Sequence, residues 1–123
     1  MAGKRLLILQ THGVGEPRRT YAPLFFALTA AAMDMEVAVW FSMEGVTQLR
    51  RGAAEQVELE PGSGVTLKTW LDQAREAGVE LLACAHAMGL EKMVEAELIE
   101  GVRVVGVAGV LDRCLEADRV MYF

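Results

Sequence analysis

The stretch "VELLACAHAMG", residues 79–89, decides how this chain is read. Val79 to Ala83 make a mostly apolar run into Cys84; His86 and then Met88-Gly89 follow. A near-continuous apolar run suits a strand covered on both faces, as in a parallel sheet; strict alternation would suit a half-exposed one. Cys84 has two readings. Cysteine is among the most buried residue types, so the first is an inert core thiol. The second is a thiol at the lip of a strand, facing a helix start. Free backbone N–H groups and the helix-end dipole there favour the thiolate, the form that reacts in sulfur transfer and disulfide exchange.

Four more apolar runs lie around this one. They are "RLLILQ" (5–10), "MEVAVWFS" (35–42), "VRVVGV" (102–107) and "RVMYF" (119–123). The segments between them have helical character. Residues 18–34 are rich in Ala, Leu and Phe, with Pro23 in the first turn, where it is tolerated. Residues 65–77 put Leu67, Trp70, Leu71 and Ala74 on one face and stop at Gly78. Shorter amphipathic helices are expected at 90–99 and 107–117. In the second, Val110, Leu111, Cys114 and Leu115 share a face, which makes Cys114 a core thiol. This β-α-β alternation predicts an open parallel sheet with helices on both faces and right-handed crossovers. Residues 43–64 break the pattern and end in the turn "EPGSG", so they are expected to be a mobile flap beside a site.

The whole chain narrows the options. Its 123 residues suit a single domain over 1–123. Apolar residues make up 53% and charged residues 24%, a globular composition with enough apolar content for covered strands or for an oligomer. The net charge is -5, and the basic residues cluster only as Lys4-Arg5, Arg18-Arg19 and Arg50-Arg51. Nucleic acid is therefore not an expected partner. No apolar run approaches the roughly 18 residues of a membrane span. "MAGKRLLILQ" has too short an apolar run for a signal peptide, so a cytoplasmic protein is expected. Cys84 and Cys114 form no CxxC and no metal-like spacing, and a structural disulfide is not expected in a reducing compartment.

Parallel sheets hold their sites outside the carboxyl ends of the strands. Those ends supply Thr11, His12 and Gly13, then Ser42, Met43 and Glu44, then Cys84 and His86. Cys84 is the candidate catalytic residue. His86 could exchange a proton with the thiol or hold the thiolate, or it could bond the turn backbone. His12 is either a polar wall of the pocket or a turn residue. "THGVGEP" (11–17) lacks a phosphate-loop motif, and its glycines suit an ordinary turn. Met33, Met35 and Met93 are expected in the core, while Met43 and Met88 sit near the mouth and could adapt to a partner.

The order of parts carries a resemblance. A strand ends in cysteine in "LLACAHAMGL". An acidic helix and a "GV" turn follow in "EAELIEGVRVVGVAGVL", and an apolar strand closes the chain after "EAD". This resembles the DsrE/DsrF-like sulfur-relay family over nearly the whole chain, with the DsrE2/DsrE3 branch nearest. The resemblance implies a three-layer α/β/α sandwich around a five-stranded, mainly parallel sheet. It implies assembly as trimers or hexamers. It also implies a strand-end cysteine that takes sulfane sulfur as a persulfide and passes it to a partner thiol. Only Cys84 corresponds to that residue. The expectation is a sulfurtransferase-type carrier working with donor and acceptor proteins and needing no cofactor. The alternative is a ligand-binding or assembly module of the same fold, with Cys84 incidental. A flavodoxin-like redox protein fits less well, because no phosphate loop supports a flavin.

Overall fold

The five apolar runs do lie side by side. The computed structural model describes residues 1–123. Strands β1 (Arg5–Gln10), β2 (Glu36–Phe41), β3 (Glu80–Cys84), β4 (Val102–Val105) and β5 (Arg119–Tyr122) form one sheet in the order β4-β3-β2-β1-β5. Every pairing is parallel. The helices are α1 (Tyr21–Ala32), α2 (Leu67–Glu76), α3 (Ala85–Leu90) and α4 (Val107–Glu116). The chain steps from β1 to β4 in one direction and then returns to add β5 beyond β1. Right-handed crossovers therefore put the connections holding α1, α2 and α3 on one face and α4 alone on the other. This is the three-layer α/β/α sandwich expected from the sequence.

Register separates the two faces. Ile8, Val39 and Leu81 are in register and fully or almost fully buried, as are Phe41 and Ala83 in a further row on that face. The opposite face carries Leu7, Ala38 and Glu80, then Leu9, Trp40 and Leu82. Glu80 identifies it as the face that α4 crosses, because both of its oxygens accept from the Arg113 guanidinium of α4, at 3.0 and 3.2 Å. Gly109 of α4 also lies against β4, where a Cβ would come within 2.8 Å of a Val105 methyl.

Several expected boundaries move, each for a local reason. α1 starts at Tyr21 because Pro17–Arg19 form a separate 3-10 turn. Met33 at its end is exposed, whereas Met93 is in the core. α2 buries Leu67, Leu71 and Ala74, and Gly78 (φ +86°) reverses the chain into β3. No helix spans 90–99. α3 starts directly at Ala85 and ends by Glu91, Lys92 takes a left-handed φ of +55°, and Glu95–Glu97 make a short 3-10 turn. In α4, Val110 is buried and Cys114 half-buried, but Leu111 and Leu115 are 56% and 86% exposed. The shared apolar face expected for α4 is thus split: part meets the sheet and part meets solvent.

Residues 43–57 are not a flap. Met43–Leu49 form a 3-10 helix whose residues Gly45 to Leu49 are buried. Arg50 donates to the Glu91 carbonyl at 3.0 Å and Arg51 to the Leu98 carbonyl at 2.9 Å. The Ile99 N–H bonds the Leu49 carbonyl. The Arg50-Arg51 pair thus pins this segment to the chain after α3. On its other side the helix packs against the His12–Val14 loop. A Cβ on Gly13 would overlap the Glu44 carbonyl and the Thr47 hydroxyl, and one on Gly45 would overlap the Gln10 carbonyl. Gly13 is therefore required by close approach and not by a turn conformation.

Gly13→Ala and Gly45→Ala should each lower stability by about 1–3 kcal/mol in urea unfolding, through overpacking. Gly15→Ala, with nothing near its Cβ position, should stay within about 0.5 kcal/mol. A second expectation concerns Glu80. Its hydrogen bond from Arg113 holds the carboxyl below its ordinary value near 4.5, against desolvation, with the Arg113 and Arg103 charges assisting. A carboxyl lowered on folding stabilises the protein above its unfolded pKa, and that contribution is lost as pH falls through the folded value. Acid should therefore weaken the α4–β3 tie below about pH 4.5. Glu80→Gln should flatten the fall in urea midpoint between roughly pH 5 and pH 3.

Candidate functional site

Cys84 is the last residue of β3, a strand flanked on both sides. It pairs with Val105 of β4, and the register Phe41↔Ala83 brings Ser42 alongside it from β2. Alternation along β3 puts Cys84 on the side of Glu80 and Leu82, the face that α4 crosses. The residue also caps α3: its backbone is extended and Sγ accepts from the Ala87 N–H at 3.4 Å. Such a donor stabilises negative charge on sulfur. The thiol is only 5% exposed, while Ala85 and His86 just after it are exposed. Cys84 is therefore a strand-end thiol that is buried and faces a helix start, which combines parts of both sequence readings.

The other expected site residues separate into rim, core and scaffold. Met43 is on the rim, 62% exposed, with a left-handed φ of +50°. Met88 faces inward and is buried, contrary to expectation, because α3 starts early enough to turn it into the core. Ser42 is buried beside the thiol. Glu44 has an exposed side chain; its carbonyl accepts from the Thr47 hydroxyl at 2.7 Å. Thr11 is scaffold, its hydroxyl donating to the Phe123 carbonyl at 2.7 Å. His12 Nδ1 lies 3.2 Å from Glu16, whose carboxylate also meets Arg19 at 3.4 Å. His12 thus belongs to a small polar cluster on its own loop. His86 is exposed and makes no hydrogen bond to Cys84.

Sequence reasoning missed the two glutamines behind this edge. Gln10 and Gln48 are fully buried. The Gln10 amide accepts from the His12 N–H at 2.8 Å and donates to the Arg19 carbonyl at 3.0 Å. Gln48 donates to the His12 carbonyl at 2.7 Å. Together they hold the His12 backbone between β1 and the 3-10 helix. An uncharged amide inside an otherwise apolar run, as in "RLLILQ" and "GVTQL", was the available signal. Trp40 also contributes, donating from Nε1 to the Val105 carbonyl at 3.1 Å, at the end of the strand beside Cys84.

A cavity of about 640 Å3 lies at the other end of the sheet, among Arg5, Glu36, Glu80 and Arg113. Its charged walls are tied to one another, Arg5 to Glu36 and Glu116, and Arg113 to Glu80. No three His, Cys, Asp or Glu side chains converge to hold a metal ion. No helix is long and apolar enough to cross a membrane.

Comparison with known proteins agrees with this arrangement. An uncharacterized protein of Methanopyrus kandleri is 29% identical over 105 residues, covering 85% of this chain and 82% of that protein. A protein described as the sulfur carrier protein DsrE2 of Allochromatium vinosum is 24% identical over an alignment of 160 positions, covering 99% of each chain. Among solved structures, the ychN protein of E. coli superposes with a TM-score of 0.82 at 18% identity, covering 98% of this chain and 99% of that one. A protein of unknown function from Methanobacterium thermoautotrophicum gives a TM-score of 0.68, also at 18% identity, covering 98% of this chain and 99% of that one. These two likenesses establish the fold. The pattern of the DsrE/DsrF-like family matches residues 4–123, almost the entire sequence, and the chain belongs to that family.

Proposed function

We propose that this protein is a cytoplasmic sulfur carrier of the sulfurtransferase type, with Cys84 as the residue that bears the sulfur. The observation that carries this reading is the position of Cys84, at the carboxyl end of a strand inside a parallel sheet with a backbone N–H directed at its Sγ. The description of the Allochromatium vinosum relative as a sulfur carrier supports it.

The chemistry needs two exchanges and no cofactor. The Cys84 thiolate attacks the outer sulfur of a donor persulfide, R–S–SH. The donor S–S bond breaks, the donor leaves as R–S⁻, and Cys84 becomes Cys–S–SH. An acceptor thiolate then attacks that terminal sulfur and releases Cys84 as thiolate. Electrons and protons balance in both steps, since each is thiol exchange on sulfane sulfur. The N–H of Ala87 stabilises the Cys84 thiolate before the first attack and after the second. Cys84 is 5% exposed and α3, which it caps, has only six residues, so in this reading a local opening of α3 admits the donor and acceptor proteins. His86 follows the thiol at the surface and acts, in this reading, only when that opening brings it close.

After incubation with polysulfide, mass spectrometry should find a form about 32 Da heavier, one added sulfur, located on Cys84 and absent from Cys84→Ser. An adduct confined to Cys114 would overturn the assignment. The burial of Cys84 favours a second reading, a ligand-binding or assembly module with an inert thiol. In that case Cys84 should take up no sulfur from polysulfide, and its alkylation in the folded protein should be suppressed at every pH.

We also propose that the chain works as a homo-oligomer, the trimer or hexamer expected from the resemblance. Val107, Leu111 and Leu115 form an exposed stripe on α4 at helical spacing, and Val120 and Tyr122 of β5 are exposed on the same face of the sheet. In sedimentation velocity the protein should run as an oligomer, and the double variant Leu111→Glu, Leu115→Glu should run as a folded monomer. A monomeric parent protein would sink this proposal and leave the sulfur chemistry untouched.

A further inference from the structure

We propose that the cleft between α1, α2 and the loop at residues 59–65 binds a small organic cation with an alkylammonium head. Its walls are mainly apolar, with three aromatic side chains beside Leu59 and Val65. Tyr21 and Phe25 lie one turn apart on α1, and Trp70 faces them from α2. The Phe25 and Trp70 rings stand 5.3 Å apart between centroids, inclined at 47°. Glu60 and Ser63 close the loop side, and the cavity holds about 340 Å3. That volume lies at the small end of the range for ligand pockets and suits a compact head group.

Charge selects the class of ligand. Glu60 takes part in none of the ion pairs of the molecule, and no Lys or Arg lines the cleft. Lys68, one residue beyond Thr69 from Trp70, is already held by Asp72 at 2.6 Å. Arg19, just before α1, is held by Glu16. The loop segment 53–64 contributes Glu55, Glu58 and Glu60 and no basic residue. An anion would meet the Glu60 carboxylate unshielded. A neutral apolar ligand would draw nothing from that carboxylate. An alkylammonium group spreads its charge over methyl groups, is weakly hydrated, and suits aromatic side chains beside a carboxylate such as Glu60. The cleft is distinct from the Cys84 site: it is built on α1, α2 and the loop before α2, and none of its residues belongs to the rim of the thiol.

The test uses choline chloride, with its uncharged isostere 3,3-dimethyl-1-butanol as the control, at constant ionic strength. Isothermal titration calorimetry and tryptophan fluorescence report together, because Trp70 lines the cleft and Trp40 does not. Choline should bind saturably and perturb the fluorescence, and the isostere should bind at least about tenfold more weakly. Glu60→Gln, on an exposed loop position, should weaken choline several-fold while leaving the thermal midpoint and Cys84 alkylation unchanged, and Phe25→Leu should weaken it several-fold while leaving Cys84 alkylation unchanged. Absence of saturable choline binding would overturn the proposal. Equal affinity for the isostere would also overturn it, because the cleft would then be reading only apolar shape.

Discussion

The structure follows from one constraint: a fully parallel sheet must be covered on both faces, and the strand order gives the two faces unequal cover. Three crossovers run in one direction and one runs back. With right-handed connections, the first face receives α1, α2 and α3 and the second receives α4 alone. The first face buries Ile8, Val39, Phe41, Leu81 and Ala83 almost completely. The second is covered only where α4 lies, held by Arg113 on Glu80 and by the close fit of Gly109 on Val105. Beyond α4, Val120 and Tyr122 stay in solvent. Part of the apolar excess in the composition is therefore exposed on this face, as Val107, Leu111, Leu115, Val120 and Tyr122, and part on α1, as Phe25 and Phe26. Cys84 falls on that same face by strand alternation, which brings the thiol and the uncovered apolar surface to the same side of the sheet.

A second constraint shapes the carboxyl edge. The loop after β1 and the 3-10 helix after β2 touch through glycine, with Gly13 against Glu44 and Thr47 and Gly45 against the Gln10 carbonyl. Close backbone contact leaves polar groups that no strand partner can satisfy, and Gln10 and Gln48 satisfy those of His12 from inside. Arg50 and Arg51 do the same on the far side, binding carbonyls of the chain after α3. These contacts tie down the loop and the 3-10 helix, and the six-residue α3 buries Ala87 and Met88.

Much of this was legible in the sequence. Five apolar runs with helical spacers specify strands and crossovers, because hydrophobic periodicity acts locally. "LLAC" running into "AHAMG" is enough to put a cysteine at a strand end. The errors occurred where burial depended on distant parts of the chain. Residues 43–57 look like a loop because they lack periodicity, yet they are held by Arg50, Arg51 and two glycines whose partners lie far away in sequence. Leu111 and Leu115 have the spacing of a buried face, and spacing cannot say how many layers cover it. Met88 reads as rim because its helix was expected to start five residues later than it does.

The sequence by itself determined the fold class, the parallel sheet and Cys84 as the thiol at its carboxyl edge, since each rests on local pattern: apolar runs, helical spacing and a residue type at a strand end. Only the tertiary structure decided which residues accompany that thiol and which faces stay uncovered. His12 turned to Glu16, Thr11 to the end of the chain and Met88 to the core, while Gln10, Gln48 and Trp40 took the supporting positions. The physical reason is that a side chain's partners are set by strand order and crossover direction, and these bring together residues that no local pattern connects.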